Sequence, residues 1–233
     1  MAKTHFGLET DLVIRELSTA DSLLADVIRR VGNFPTKKQK PQHPFSSLLR
    51  SIVYQQITGK AAETILGRVK ERVGGGDFPT PEEILRAPNA KLRRAGLSRQ
   101  KIAAVKDLAA RALDGTVPTL AKLRRMGEEE IIERLTAVRG IGVWSVQMFL
   151  MFRLGRPDVL PIHDLGIRKG FQRVYGHADL PKPRLILEHG ERWRPYRSIA
   201  SWYLWRAAEE KSSPPQKVVA EPARKTRKVS GVR

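Results

Sequence analysis

Apolar side chains recur at helical spacing along most of this chain, and the breaks between the helices they predict fall on proline and glycine. Leu23, Leu24, Val27 and Ile28 keep a period of about 3.6 residues and predict a helix from Thr19 to Val31 that Gly32 closes. Asn33 to Pro44 holds three lysines and three prolines, so it reads as a loop joining two lobes. Phe45, Leu48, Leu49, Ile52 and Val53 share one face of the next helix, which breaks between Gln55 and Gly59. Another runs from Ala61 to about Val73, stopped by Gly74, Gly75 and Gly76. Thr80, between Pro79 and Pro81, opens a new helix. Ser98 caps a longer one carrying Ile102, Val105, Leu108 and Ala109, which Asp114, Gly115 and Pro118 end.

The pattern is densest further on. Glu128 to Val138 reads as a helix, with three glutamates in the turn where the helix dipole favours negative charge and Ile131, Ile132, Leu135 and Val138 at helical spacing; it stops at Gly140. From Val143 to Leu154 the residues Trp144, Val146, Met148, Phe149, Leu150, Met151 and Phe152 leave so little polar face that this helix is expected to be buried nearly all round. A helix follows Asp164 through Ile167, Lys169, Gly170 and Phe171 to about Tyr175, and Pro181 and Pro183 break it off. The last begins near Arg194, with Pro195 in its first turn, and carries Ile199, Ala200, Tyr203, Leu204 and Ala207. No internal repeat and no alternating strand run interrupts the series, so the expected fold class is all-α.

Composition narrows the partner. At 233 residues, 41% of them hydrophobic, the chain can fill one compact domain or two small lobes sharing a cleft. Forty-three Lys and Arg against 24 Asp and Glu leave a formal charge of +19, which fits a polyanion better than a neutral metabolite and puts nucleic acid first. The absence of cysteine excludes disulfides, cysteine-ligated zinc and iron–sulfur clusters. No apolar signal segment opens the chain, and Gln147 and Arg153 interrupt its most apolar helix, so a cytoplasmic protein with no membrane span is expected. Residues 211–233 carry seven Lys or Arg, one Glu and three prolines, the composition of a disordered basic tail that adds non-specific DNA affinity.

Candidate chemistry gathers in Leu135 to Arg168. Between the two helices there lies Arg139-Gly140-Ile141-Gly142. Glycine adopts positive φ without steric cost and has no side chain, so the amides opening the second helix at Val143 can approach an anion closely. On spacing alone the same pattern fits a plain αα-hairpin. Gln55 and Gln56, adjacent at the end of a buried helix, either point into a cleft or cap the helix end. The Gly96 turn before Ser98, with Arg99 and Lys101 beside it, reads equally as a second phosphate site and as an ordinary capped turn. Asp164 begins a helix, a place where it can serve as an N-cap.

Taken together, Val-Arg-Gly-Ile-Gly-Val-Trp-Ser-Val from Val138 and Asp-Val-Leu-Pro-Ile-His-Asp-Leu-Gly-Ile-Arg from Asp158 closely resemble the helix-hairpin-helix DNA glycosylase superfamily. The match is best with its alkylation-repair branch, the 3-methyladenine DNA glycosylase II family. Segments around Gln55-Gln56, Ala95 to Ile102 and Trp193 to Arg206 resemble the family too, so the likeness spans about residues 40 to 208. It implies two helical lobes flanking a DNA- and base-binding cleft, without an N-terminal β domain. One lobe comprises about residues 1–35 with 165–210 and the other about 45–160, including the hairpin at 128–154, within a domain over 1–210.

The resemblance also assigns roles. Asp164 becomes the catalytic carboxylate, and Arg139, Gly140, Ile141, Gly142 and Val143 hold a DNA phosphate, with Ser98, Arg99 and Lys101 at a second. Gln56 becomes the wedge that fills the gap left by a flipped nucleotide, with Gln55 lining the pocket. Trp144, where lyase-type relatives carry a lysine, implies a monofunctional enzyme and leads the candidate walls of the base pocket, followed by Tyr54 and Trp202. For Tyr54, Trp193, Trp202 and Trp205 ordinary core packing also fits. His163 reads as a spacer or a phosphate contact. Backbone carbonyls of Thr136, Val138 and Gly140 are implied ligands of a monovalent cation, Na⁺ or K⁺, and no cofactor is required. The implied activity of this monomer is hydrolytic excision of 3-methyladenine or 7-methylguanine from double-stranded DNA. A glycosylase for ethenoadenine, hypoxanthine or a mismatch fits the same residues. A non-catalytic hairpin protein fits less well, since binding alone needs no carboxylate facing a polyanion.

Overall fold

A computed structural model describes residues 6–35 and 43–210; the basic tail expected at 211–233 and most of the loop expected between Asn33 and Pro44 lie outside them. Within the described residues the chain is helical and has no β-strand, as its apolar periodicity requires. α1 (Thr10–Ala20) and α2 (Ser22–Val31) meet at Asp21, whose extended backbone breaks the ladder. The Asp21 N–H still closes α1 on the Leu17 carbonyl, while its carboxylate accepts the Leu24 N–H and starts α2. The helix expected from Thr19 to Val31 therefore starts at Ser22, and Thr19 and Ala20 end a separate helix, because periodicity carries no mark of a turn made by a buried aspartate.

Next come α3 (Pro44–Tyr54), α4 (Gly59–Val73), α5 (Pro81–Arg86), α6 (Asn89–Arg94), α7 (Arg99–Leu113) and α8 (Leu120–Leu123). Thr58, Thr80, Ser98 and Thr119 cap α4, α5, α7 and α8 by accepting a backbone N–H from the first turn, and Thr80 completes a capping box with Glu83. α9 (Glu128–Thr136) and α10 (Val143–Phe149) flank the glycine turn, and α10 runs on through a π-helical turn at Leu150–Leu154. α11 (Leu165–Val174), α12 (Pro183–Gly190) and α13 (Arg197–Glu209) complete the order. α13 opens past a cis Arg194–Pro195 peptide, so Pro195 precedes the helix and does not sit in its first turn as expected.

Two apolar cores form. One gathers α3 to α10 around Leu49, Ile52, Val105, Leu108, Leu135 and Val146; the other gathers α1, α2 and α11 to α13 around Val13, Leu24, Ile167, Trp193 and Tyr203. Removing each Leu, Ile or Val of this kind from water is worth on the order of 1.5–3 kcal/mol before chain entropy is charged against it. Trp205 packs against both cores and marks their seam. At the same seam α10 departs from the all-round burial expected of it. Val146, Phe149, Leu150 and Met151 enter the core, whereas Val143 and Trp144 at its start are 48% and 50% exposed.

Candidate active site

Two side chains fix the path of the chain from α10 to Asp164. Arg197 grips the Asp158 carboxylate with Nε at 2.7 Å and Nη2 at 3.0 Å. Ser198 accepts the Val159 N–H at 2.9 Å and donates to the Arg156 carbonyl at 2.7 Å. Both come from α13, so the segment leading to Asp164 is tied to the helix that also carries Trp205.

Asp164 caps α11, its Oδ1 accepting the Ile167 N–H at 2.8 Å. That cap is the bland role its position allowed. The same Oδ1 accepts the Trp205 indole N–H at 2.8 Å, and Oδ2 accepts the Trp144 indole N–H at 2.7 Å. A carboxylate offers about four acceptor sites, so three donors orient it and leave it capacity for a further partner. Gly166 makes this possible. A Cβ there would stand 2.7 Å from Trp205 Cδ1 and 3.1 Å from Asp164 Oδ1, closer than a side chain tolerates. At Gly170 a Cβ would overlap the Leu204 carbonyl, so α11 crosses α13 at backbone contact.

The aromatic residues sort differently from expectation. Trp144 donates its indole N–H to the carboxylate, a contact that its role as a candidate pocket wall did not include, and is half exposed. Trp202 does not reach it: its ring packs edge-on against Phe34 at 4.9 Å, with Tyr203 at 5.0 Å, because its direction on α13 faces the core that α13 shares with α1 and α2. Trp205 holds the place instead, stacked on Phe152 at 5.9 Å. Local sequence gives little warning of a contact 41 positions away, although Gly166 and Gly170, four residues apart, signal a helix pressed close.

Phe152 also lines a cavity of about 220 Å³ between α3 and α10, together with Tyr54, Ser51, Ser145, Met148 and two arginines, Arg50 and Arg153. Arg50 lies over the Tyr54 ring, 4.1 Å from its centre, so that face of Tyr54 already holds a cation. Burial, and the charge of Arg50, push the Arg153 guanidinium down from its ordinary value. Of the residues expected in the base pocket only Tyr54 lines this cavity; Trp144, Trp202 and Gln55 do not, and Gln55 Nε2 donates to the Gly140 carbonyl at 2.8 Å, facing the hairpin. Gln56 is exposed and adopts φ 57, the one left-handed residue other than glycine among those described. A left-handed backbone costs roughly 1–2 kcal/mol at a residue with a Cβ and persists where the surroundings enforce it. Ile57 beside it is 38% exposed, an apolar tip that periodicity did not single out.

In the hairpin Gly140 turns at φ +77, and the buried Val138 and Ile141 anchor the loop. Gly142 opens α10 without a side-chain cap, leaving the first amides of that helix for an anion. The Arg139 N–H is not among them, because it donates to Asp107 Oδ2 at 2.7 Å. At the second expected phosphate site Ser98 Oγ accepts the Lys101 N–H at 3.2 Å, an ordinary cap. Lys101 turns inward, Nζ donating to the Val53 and Gln55 carbonyls, and burial pushes its ammonium down. Arg99 stays exposed, beside a concavity it shares with Arg93 and Lys106. His163 is exposed as well.

The carbonyls expected to hold a monovalent cation are an imperfect fit. The Val138 carbonyl accepts the Ile141 N–H at 3.0 Å, and the Gly140 carbonyl accepts Gln55 Nε2. An amide donor thus faces the position where one ligand would bind.

Comparison with known proteins bears on this site. Residues 49–195 match the family described as HhH-GPD superfamily base excision DNA repair protein. The chain is 38% identical over 194 residues to DNA-3-methyladenine glycosylase 1 of Schizosaccharomyces pombe, covering 83% of this chain and 85% of that protein. A solved structure of a 3-methyladenine DNA glycosylase from the same yeast, in complex with abasic DNA, is similar with a TM-score of 0.74 at 37% identity, over 83% of this chain and 95% of that one. A DNA-3-methyladenine glycosidase from Bacillus halodurans is similar with a TM-score of 0.75 at 38% identity, over 83% and 89% of the two chains.

Proposed function

The chain belongs to the HhH-GPD superfamily of base excision DNA repair proteins, and on that premise we propose that it is a monofunctional DNA glycosylase of the 3-methyladenine glycosylase II type, which hydrolyses the N-glycosidic bond of alkylated bases in duplex DNA. The observation that carries this reading is the Asp164 carboxylate, aimed by two indole N–H groups and a helix N-terminus at the seam of the two lobes.

A base inside the duplex is out of reach, so its nucleotide must leave the stack while something fills the gap. The open amides of α10 hold a backbone phosphate. Gln56, with Ile57 beside it, fills the gap. As the bond from C1′ to the base nitrogen breaks, its electron pair leaves with the base and positive charge builds on the sugar. Asp164 stabilises that charge and orients the water whose oxygen bonds to C1′; the water's spare proton passes to the carboxylate or to solvent.

An alkylated purine is already cationic and leaves readily. The exposed Trp144 face attracts such a base by cation–π interaction, on the order of 0.5–2 kcal/mol. Tyr54 contributes less, since Arg50 occupies its face. The absence of lyase chemistry follows from the residue at the carboxylate: an indole cannot form the Schiff base that a lysine amine would.

Incubation with alkylated duplex DNA and borohydride tests both parts. The proposal expects release of 3-methyladenine and 7-methylguanine with no trapped protein–DNA adduct. Failure to release any methylated purine would overturn the substrate class, and a trapped adduct would overturn the monofunctional assignment.

A further inference from the structure

Three hydrogen bonds place α7 beneath both working parts of the DNA-binding face. Towards α3, Lys101 Nζ donates to the Val53 carbonyl at 2.7 Å and to the Gln55 carbonyl at 2.8 Å, at the end of α3 immediately ahead of Gln56. Towards the hairpin, Asp107 Oδ2 accepts the Arg139 N–H at 2.7 Å, and Arg111 Nε donates to the same oxygen at 3.0 Å. Ala104 lies against Gly140 between them. Gln55 Nε2 closes the ring by donating to the Gly140 carbonyl. Lys101, Ala104, Asp107 and Arg111 are three and four apart, so they share one face of the helix. Six residues of helix hold the two attachment points about 9 Å apart.

The sequence alone offered Lys101 as a phosphate ligand, but two of its three N–H bonds are spent inside the protein on carbonyls at the end of α3. Asp107 would repel a phosphate at the grip were its charge not met by Arg111. Neither is placed as a ligand. Both are placed as spacers, and the left-handed Gln56 is the kind of strained residue that needs its flanks held.

We propose that this face of α7 is a positioning strut, in which Lys101 and Asp107 set the separation between the wedge at Gln56 and the phosphate grip at Gly140–Val143. Seating the hairpin on a phosphate then drives the wedge into the stack in the same motion. The inference rests on the glycosylase reading above and assigns neither residue to the reacting atoms.

The test is single-turnover excision of one alkylated base, placed either in a duplex or in a two-base bubble, by the native chain, Lys101→Met, Lys101→Arg, Asp107→Ala and Gln56→Ala. A bubble has already opened the stack and needs little wedging. Lys101→Met and Asp107→Ala should each lose roughly tenfold or more on the duplex, a cost typical of small misplacements, and keep most of their rate in the bubble. Lys101→Arg should recover much of the duplex rate. Adding Lys101→Met to Gln56→Ala should slow the duplex reaction little further, since both act through one wedge. Equal losses on both substrates, or full additivity with Gln56→Ala, would overturn the proposal. So would a loss confined to DNA affinity with a salt slope reduced by about one, the signature of a phosphate ligand. Fluorescence of 2-aminopurine beside the lesion reads stack opening without chemistry. If the native chain excises nothing, the glycosylase reading fails, yet a native flipping signal lost in Lys101→Met still supports the strut and one retained rejects it.

Discussion

Asp21 and Asp164 are built from the same parts and do different things. Each N-caps a helix, and each accepts a tryptophan indole N–H from the C-terminal part of the chain. Asp21 is 5% exposed, and its Oδ2 accepts Tyr175 Oη at 2.6 Å and Trp193 Nε1 at 2.9 Å and pairs with His189 Nε2 at 2.8 Å. Burial opposes its charge, but the hydrogen bonds from His189, Tyr175, Leu24 and Trp193 outweigh it and hold the carboxyl well below the usual range. Asp21 is therefore saturated and fastens α1 and α2 to the C-terminal helices. Asp164 has three donors, acceptor capacity to spare and a half-exposed indole beside it. Spare acceptor capacity is what separates the carboxylate proposed to do chemistry from the structural one.

That contrast can be broken from either side. The largest effect is expected on chemistry: Asp164→Asn keeps the shape but removes the charge, and about 10³-fold of single-turnover rate should go with it, comparable to losing a main transition-state contact. Its melting temperature should move little, because asparagine caps a helix as well as aspartate does. Asp21→Ala should do the reverse, costing roughly 3–5 kcal/mol in denaturant unfolding by leaving buried donors without their charged acceptor, with excision by the remaining folded protein unchanged. Gly166→Ala should slow excision by about 10–100-fold by pushing the Trp205 indole off Asp164, with the DNA affinity retained.

The smallest effect is a pH dependence. Because the Asp21 carboxyl titrates below its ordinary value when folded, its contribution is complete above the unfolded carboxylate range near pH ~4 and is lost as the pH falls through the folded value. The stability gap between the native chain and Asp21→Asn should accordingly be constant from neutral pH down to that range and narrow below it. A gap that widened on acidification would mean that the charge of Asp21 is not what holds the clasp.

How much of this was legible in the sequence follows the range of each interaction. The glycine turn at Gly140, the caps at Thr80 and Ser98 and the amphipathic faces of α3, α7 and α9 are local, and three or four neighbouring residues announce them. Trp144 and Asp164 were legible because the motif around them is contiguous. The break at Asp21 was not, since its partners Tyr175, His189 and Trp193 lie at the other end of the chain. Nor were Trp205 or the inward turn of Lys101, whose partners are set by how α13 crosses α11 and how α7 underlies α3. Apolar density misled at α10 because a helix starting at a cleft exposes large residues that a core helix would bury.

If Asp164 performs the chemistry and the rest of the fold presents DNA to it, removing that one charge should separate binding from excision. The direct measurement is release of methylated purine from alkylated duplex DNA with protein in excess, comparing the native chain with Asp164→Asn, alongside the affinity of each for duplex containing an abasic site. Near-equal affinities and release by the native chain alone are expected. Release by Asp164→Asn within about threefold of the native rate, a difference of roughly 0.7 kcal/mol or less in the barrier, would contradict that role of Asp164.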